Sequence, residues 1–141
     1  MVWKLSSNKA IAVLLRKAKA KYESAQRNFE ADSYDTCVSD LYYACFDTVV
    51  ALMVVRNVVE KKHTQVSGFV NKDWARVGLI DVDMSRFFNR LLSSRELADY
   101  NYFEEFDKDS CKLLKDQTVK FMEITVEIIN SESESNMTLY P

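Results

Sequence analysis

Proline occurs once in this chain, at Pro141, and glycine twice, at Gly68 and Gly78. So few turn-formers leave little material for the tight reversals of a many-stranded sheet, and a bundle of long helices becomes the default expectation. Histidine occurs once, at His63. With no acidic cluster of familiar spacing, the ligands for a metal site are too few. Cysteine is scarce and odd in number: Cys37, Cys45 and Cys111 show no CxxC spacing and lie within apolar helical patterns. They read as buried thiols in a reducing cytoplasm, not as disulfides or zinc ligands. A P-loop, a GxGxxG turn and a nucleophile elbow are also missing, which argues against the common nucleotide, hydrolase and redox classes. No cofactor is expected.

Long hydrophobic runs are lacking as well. The nearest, TVVALMVV at 48–55, closes with Arg56 and falls short of the ~20 residues that span a bilayer. The N-terminal MVWKLSSNKA has neither the apolar middle nor the small-residue cleavage site of a secretory signal. The expectation is a soluble, cytoplasmic protein with no membrane partner.

What is present is a chain of 141 residues, 48% of them hydrophobic, enough for one domain with a real core. A net charge of −2 excludes a protein that coats nucleic acid generically. The charge is uneven, however. Residues 1–30 carry Lys4, Lys9, Arg16, Lys17, Lys19, Lys21 and Arg27 against only Glu23 and Glu30. This stretch is either a solvated helix face or a surface for RNA or an acidic partner.

Apolar positions recur at steps of three and four through most of the chain. Ile11, Leu15, Ala18, Tyr22, Ala25 and Phe29 predict a helix over 8–31, with Ser6 or Ser7 as its cap. Asp32 and Ser33 interrupt the pattern and offer N-cap oxygens to a second helix. That helix carries Val38, Leu41, Tyr42, Cys45, Val49, Leu52 and Met53, reaches Val58 or Val59, and is the expected centre of the fold. Tyr42 and Phe46 are expected in the core, with Tyr43 at its boundary. Shorter helical pieces follow, with Thr64 as a possible cap and Gly78 as a break. Asp81 or Asp83 can cap the next helix, striped by Met84, Phe88 and Leu91. A last helix, from about Phe106 or Asp109, carries Cys111, Leu114, Thr118, Phe121, Ile124 and Ile128. The reading is one all-α domain over 1–130, an antiparallel bundle of four to five helices, followed by a flexible acidic and polar tail at 131–141. No internal repeat is convincing. Trp3 and Trp74 lack spacing partners and read as interface or edge packing.

The stripe Phe88, Leu91 extends by four residues to Arg95, and from there by one turn to Asp99 and by two to Tyr102. A guanidinium therefore points toward the bundle with a carboxylate placed to pair with it. Two readings are open. In one, an Arg95–Asp99 pair finishes the helix and ties down the loop, since a core-facing arginine is costly unless paired. In the other, Asp99 holds Arg95 at the rim of a pocket, where it contacts phosphate while Tyr100 or Tyr102 stacks on a base. His63 either caps and packs locally or contributes to the same groove.

Several motifs, taken in order, carry a family resemblance. SDLYYACF at 39–46, KKHTQV at 61–66, FVNKDW, GLID and RELADY at 95–100 resemble the small free-standing prokaryotic members of the HEPN family (higher eukaryotes and prokaryotes nucleotide-binding). The likeness covers roughly residues 10–130. It implies a four- or five-helix bundle, commonly a homodimer. Many such proteins are toxin-like, metal-independent ribonucleases that use an arginine followed four to six residues later by a histidine. Others partner a minimal nucleotidyltransferase in two-gene toxin–antitoxin modules. By this resemblance Arg95 matches the arginine, Tyr100 stands where a histidine would be, and Tyr102 stands where some members carry a tyrosine modified by the partner transferase. The Arg95 segment has no histidine, and Asp40 replaces the arginine of the second-helix motif.

Metal-independent RNA cleavage needs a group that moves a proton near neutral pH, which suits histidine. Tyrosine, with a reference pKa near ~10, suits it poorly. The catalytic motif, Arg95 with Tyr100, is therefore expected to be degenerate, while Arg95, Asp99, Tyr102 and His63 form the candidate ligand-binding set. Three functions follow: an RNA- or nucleotide-binding component of a toxin–antitoxin or nucleotidyltransferase-linked system; an active ribonuclease recruiting His63 or Tyr100; and a non-catalytic helical interaction module. For self-association, a strip of exposed aromatics, Phe87, Tyr100, Tyr102 and Phe103, is the expected contact.

Overall fold

The computed structural model describes residues 2–56, 63–70, 82–100 and 106–132, with side chains from residue 8 in the first stretch and from residue 66 in the second. They form α1 (Val2–Glu30), α2 (Tyr34–Val55), α3 (His63–Gly68), α4 (Val82–Tyr100) and α5 (Lys108–Glu132). No strand occurs among the described residues.

The helix α1 begins earlier than the sequence suggests, at Val2, so Ser6 and Ser7 lie inside it and do not cap it. Its predicted stripe does face the core: Ile11, Leu15, Ala18, Tyr22 and Ala25 are buried, with Phe29 at the edge. The shortage of glycine shows where α1 ends. Asp32 takes the left-handed position at φ 60° that glycine usually fills. The Ser33 N–H donates to the Asn28 carbonyl at 2.8 Å and the Asp32 N–H to that of Phe29 at 3.1 Å, closing the last turn. Ser33 holds the N-cap position of α2, but its hydroxyl makes no capping bond. The neighbouring side chains bond elsewhere: Asp32 accepts the Tyr34 hydroxyl, and Asp35 accepts the Phe106 N–H from just ahead of α5, 71 residues along the chain.

The helix α2 is buried nearly all round, with Cys37, Val38, Leu41, Tyr42, Cys45, Val49, Leu52 and Met53 fully enclosed. By length and composition it would suffice for a membrane span, contrary to the count of its apolar runs. Here its apolar surface is covered by α1, α4 and α5, and α3 also touches it. It ends at Val55; Val58 and Val59 lie outside the described residues. Phe46 is half-buried, not in the core.

Pairings along the helices give their directions. Asp40 accepts the Ser24 hydroxyl at 2.6 Å and the Asn28 amide at 3.0 Å, so α1 and α2 form an antiparallel hairpin. The Cys37 and Cys111 thiols interact near the starts of α2 and α5, which pushes the Cys37 thiol pKa up and the Cys111 pKa down, and the Cys111 thiol reaches the Tyr34 carbonyl at 3.9 Å. At the opposite ends Arg56 donates twice to the Glu132 carboxylate, at 2.9 and 2.8 Å. Thus α2 and α5 run parallel. The helix α4 returns antiparallel to α5, with Phe88 stacked on Phe121 at 5.7 Å and Arg90 reaching Gln117.

The start of α5 is capped by Asp107, whose carboxylate accepts the Ser110 N–H at 2.7 Å. Its core stripe is Cys111, Leu114, Thr118, Phe121, Met122, Thr125, Val126 and Ile129, while Ile124 and Ile128 are only half-buried at the edge. Ser131 and Glu132 are helical, and 133–141 lie outside the described residues. Three buried threonines satisfy themselves: Thr48, Thr118 and Thr125 each donate to the carbonyl four residues back. The free cysteines Cys37, Cys45 and Cys111 are all buried, as expected.

Phe88 is the joint of the aromatic core: fully buried, it touches Tyr42 at 5.8 Å between centroids and Phe121 at 5.7 Å. Phe88→Ala is expected to destabilise the domain by about 3–5 kcal/mol. Urea unfolding followed by circular dichroism measures this directly.

Candidate functional site

On α4, Met84, Phe88 and Leu91 define the side facing the core, and Arg95 continues it where α4 passes the middle of α2. Its side chain is 11% exposed. The guanidinium carbon sits 5.4 Å from the centroid of the Tyr42 ring and 5.7 Å from that of Tyr43. Asp99, one turn on, lies 3.4 Å from Nη1. The Arg95 Nε is buried and has no hydrogen-bond acceptor among the described residues.

This arrangement keeps the cation charged but leaves it incompletely bonded for its depth. Burial works against the charged guanidinium, but Tyr43, Asp99 and Tyr42 outweigh it, and the pKa stays above the ordinary arginine value. A desolvated cation over an aromatic face gains up to about 2 kcal/mol. The unpaired N–H costs about 1–3 kcal/mol. The Tyr42 phenol is fully buried, and burial raises its pKa well above the usual phenol range against the pull of Arg95.

Tyr43 joins this cluster to α1. The Lys21 ammonium stands 6.0 Å from the Tyr43 ring centroid, with Arg95 also against that ring. One turn further along α2 is Asp47, whose carboxyl pKa is raised by burial, with Lys21 and Lys17 pulling it partly back. Asp40, Tyr43 and Asp47 thus form a half-buried polar stripe on α2 between α1 and α4. The departure at Asp40 has a local cause, since this side chain is engaged by Ser24 and Asn28 of α1.

The remaining predicted residues fall differently. Tyr100 is 68% exposed. The helix runs through it unbroken, so it lies about 140° around the axis from Arg95 and the two do not converge on one chain. Tyr102 lies outside the described residues, as do Phe103, Trp74 and Gly78. His63 begins α3, and its side chain is outside the described set. Phe87, expected on an exposed aromatic strip, is 3% exposed and packs on Phe121. Sequence reasoning named Lys17 and Lys21 only within the basic stretch of the first helix and missed Asp47; the signals that join them were the four-residue spacing of the two lysines and that of Tyr43 to Asp47.

An all-α bundle whose fourth helix sets an arginine against paired tyrosines of its second defines the class of protein. The chain belongs to the HEPN family: the family's HEPN domain model matches residues 11–129. Among relatives, "Putative toxin MJ0142" of Methanocaldococcus jannaschii is 25% identical over 132 residues, 94% of this chain and 90% of that protein. A UPF0332 protein of Thermotoga maritima is 26% identical over 104 residues, 74% and 79% of the two chains. Another from Archaeoglobus fulgidus is 31% identical over 106 residues, 74% and 84% of the two.

The Asp47 environment gives a sign for pH. Its carboxyl is raised in the folded state, so the native protein holds this proton to higher pH than the unfolded chain, which releases it near ~4. Ionisation then costs stability as pH rises above that point. Asp47→Asn is expected to raise the melting temperature at pH 7, with the gain fading toward about pH 4. Thermal melts of both proteins across that range check it.

Proposed function

We propose that this HEPN-family protein binds RNA or a nucleotide at the Arg95 groove, as a component of a toxin–antitoxin or nucleotidyltransferase-linked system, without robust RNA cleavage. The observation that carries the reading is the buried Arg95 Nε, left without an acceptor beside Tyr42 and Tyr43. A cation held against aromatic rings with spare donors is suited to phosphate, which arginine recognises through its fixed fork of N–H groups. Lys17 and Lys21, exposed on α1 beside the same stripe, add positive charge along the groove.

The absence of robust cleavage is supported by geometry and acidity together. Tyr100 points away from Arg95, and a phenol is a poor proton carrier near neutral pH. The name of the M. jannaschii relative supports a place in a toxin system. A minimal nucleotidyltransferase partner and a homodimer belong to the same proposal, for which Leu97 and Tyr100, exposed one turn apart on α4, offer apolar surface.

One observation favours a second reading. Arg95 is 89% covered and touches two rings of α2, which also fits a tie that holds α4 onto α2, with function residing in a bound protein partner.

Binding and cleavage of RNA in the presence of chelator, for wild type, Arg95→Lys and Arg95→Ala, separates the readings when melting temperatures are recorded alongside. The expected result is no cleavage and RNA binding weakened about tenfold or more by Arg95→Ala, the loss of one or two charge-assisted contacts. Arg95→Lys is expected to restore part of it. Cleavage that disappears with Arg95 establishes the ribonuclease reading instead. No RNA binding by any form, with a melting temperature lowered sharply in Arg95→Ala, establishes the structural tie.

A further inference from the structure

A cleft of about 480 Å³ opens between α4 and α5, away from Arg95. Its lining includes Met84 and Phe87, which are 8% and 3% exposed. Arg86, Arg90 and Lys120 also line it, with Gln117 and a single acid, Asp83. Three cations against one carboxylate make the cleft +2 in a chain whose net charge is −2. The sign inversion is local and concentrated.

The cations are only loosely satisfied. Asp83 approaches Arg86 at 4.0 Å, but both side chains are largely in water, where such a pair is screened. Arg90 makes one long contact, 3.5 Å, to the Gln117 carbonyl oxygen, and its guanidinium carbon stands 5.7 Å from the Phe87 ring centroid. Among the described residues, neither Arg90 nor Lys120 has a carboxylate within 4.0 Å. The ring contact seats the Arg90 guanidinium beside Phe87, with N–H groups beyond the one aimed at Gln117 able to donate to a ligand.

We propose that the α4/α5 cleft is a second ligand site, one that takes the phosphate ester of a nucleotide. Arg86, Arg90 and Lys120 surround the phosphate oxygens, and Arg90, backed by Phe87, is the group on which a base stacks. The volume lies in the range of small-molecule sites. The inference does not depend on Arg95, which lies on another side of α4. The phosphate ester belongs either to a free nucleotide or to a single RNA strand.

The test is isothermal titration of the full chain at low salt with two probes, adenosine triphosphate and a short oligouridylate. The variants are Arg90→Ala/Lys120→Ala, Lys120→Glu, Arg95→Ala, and Lys9→Ala/Lys108→Ala as a control for net charge. Melting temperatures confirm that each variant is folded. The expected result is that the cleft variants lose about tenfold or more at one binding event, which Arg95→Ala retains even where it weakens another at its own site, with the control close to wild type. A loss seen with adenosine triphosphate identifies a free nucleotide as the source, and one seen only with oligouridylate identifies a strand. The proposal is overturned if wild type binds neither probe at millimolar concentration, or if the control loses as much as the cleft variants. Loss confined to Arg95→Ala also overturns it, while leaving the Arg95 groove intact as a site.

Discussion

The constraint on which the rest of this structure depends is α2, a helix with almost no side that can face water. Its three acids, Asp35, Asp40 and Asp47, mark strips where it meets polar groups. Asp35 accepts the Phe106 N–H and Asp40 accepts from Ser24 and Asn28, while Asp47 lies beside Lys17 and Lys21. An apolar helix of this kind is stable in water only when other helices surround it. The other helices answer that need: α1 folds back along it, α5 runs beside it, and α4 crosses its tyrosines.

Arg95 belongs to this arrangement. It sits at the last core-facing position of α4, where α2 offers phenol rings in place of aliphatic chains. Two ring faces and a single long ion pair retain the charge without saturating it, and Nε remains unpaired. A stability-optimised bundle would place a leucine or methionine there. Retaining a buried, incompletely paired guanidinium is a local departure of the sort found where a protein binds something.

Much of the fold is legible in the sequence because helical periodicity reports burial directly. The stripes Ile11 to Ala25, Val38 to Met53 and Met84 to Leu91 all face the core. Errors cluster where periodicity is silent. The helix α1 starts at Val2, ahead of the two serines read as its cap, and Ser33 sits at an N-cap without a capping bond. Phe87 resembled a surface aromatic only because its partner, Phe121, is over thirty residues away in sequence. Ile124 and Ile128, on the predicted stripe, pack against the core from its edge, while α5 gives its fully buried positions to Met122 and Thr125, a choice set by contact with α2 and α4 and not by its own composition.

The sequence alone determined the class of fold, the central helix, the buried thiols and the direction in which Arg95 points, since each follows from local spacing along one chain. Only the tertiary structure decided what meets Arg95. The Tyr42 and Tyr43 rings, the nearby Lys21 and Asp47, and the separation of Arg95 from Tyr100 depend on how α1, α2 and α4 register against one another. That register is fixed by the summed packing of many side chains distant in sequence, a quantity that no local pattern contains.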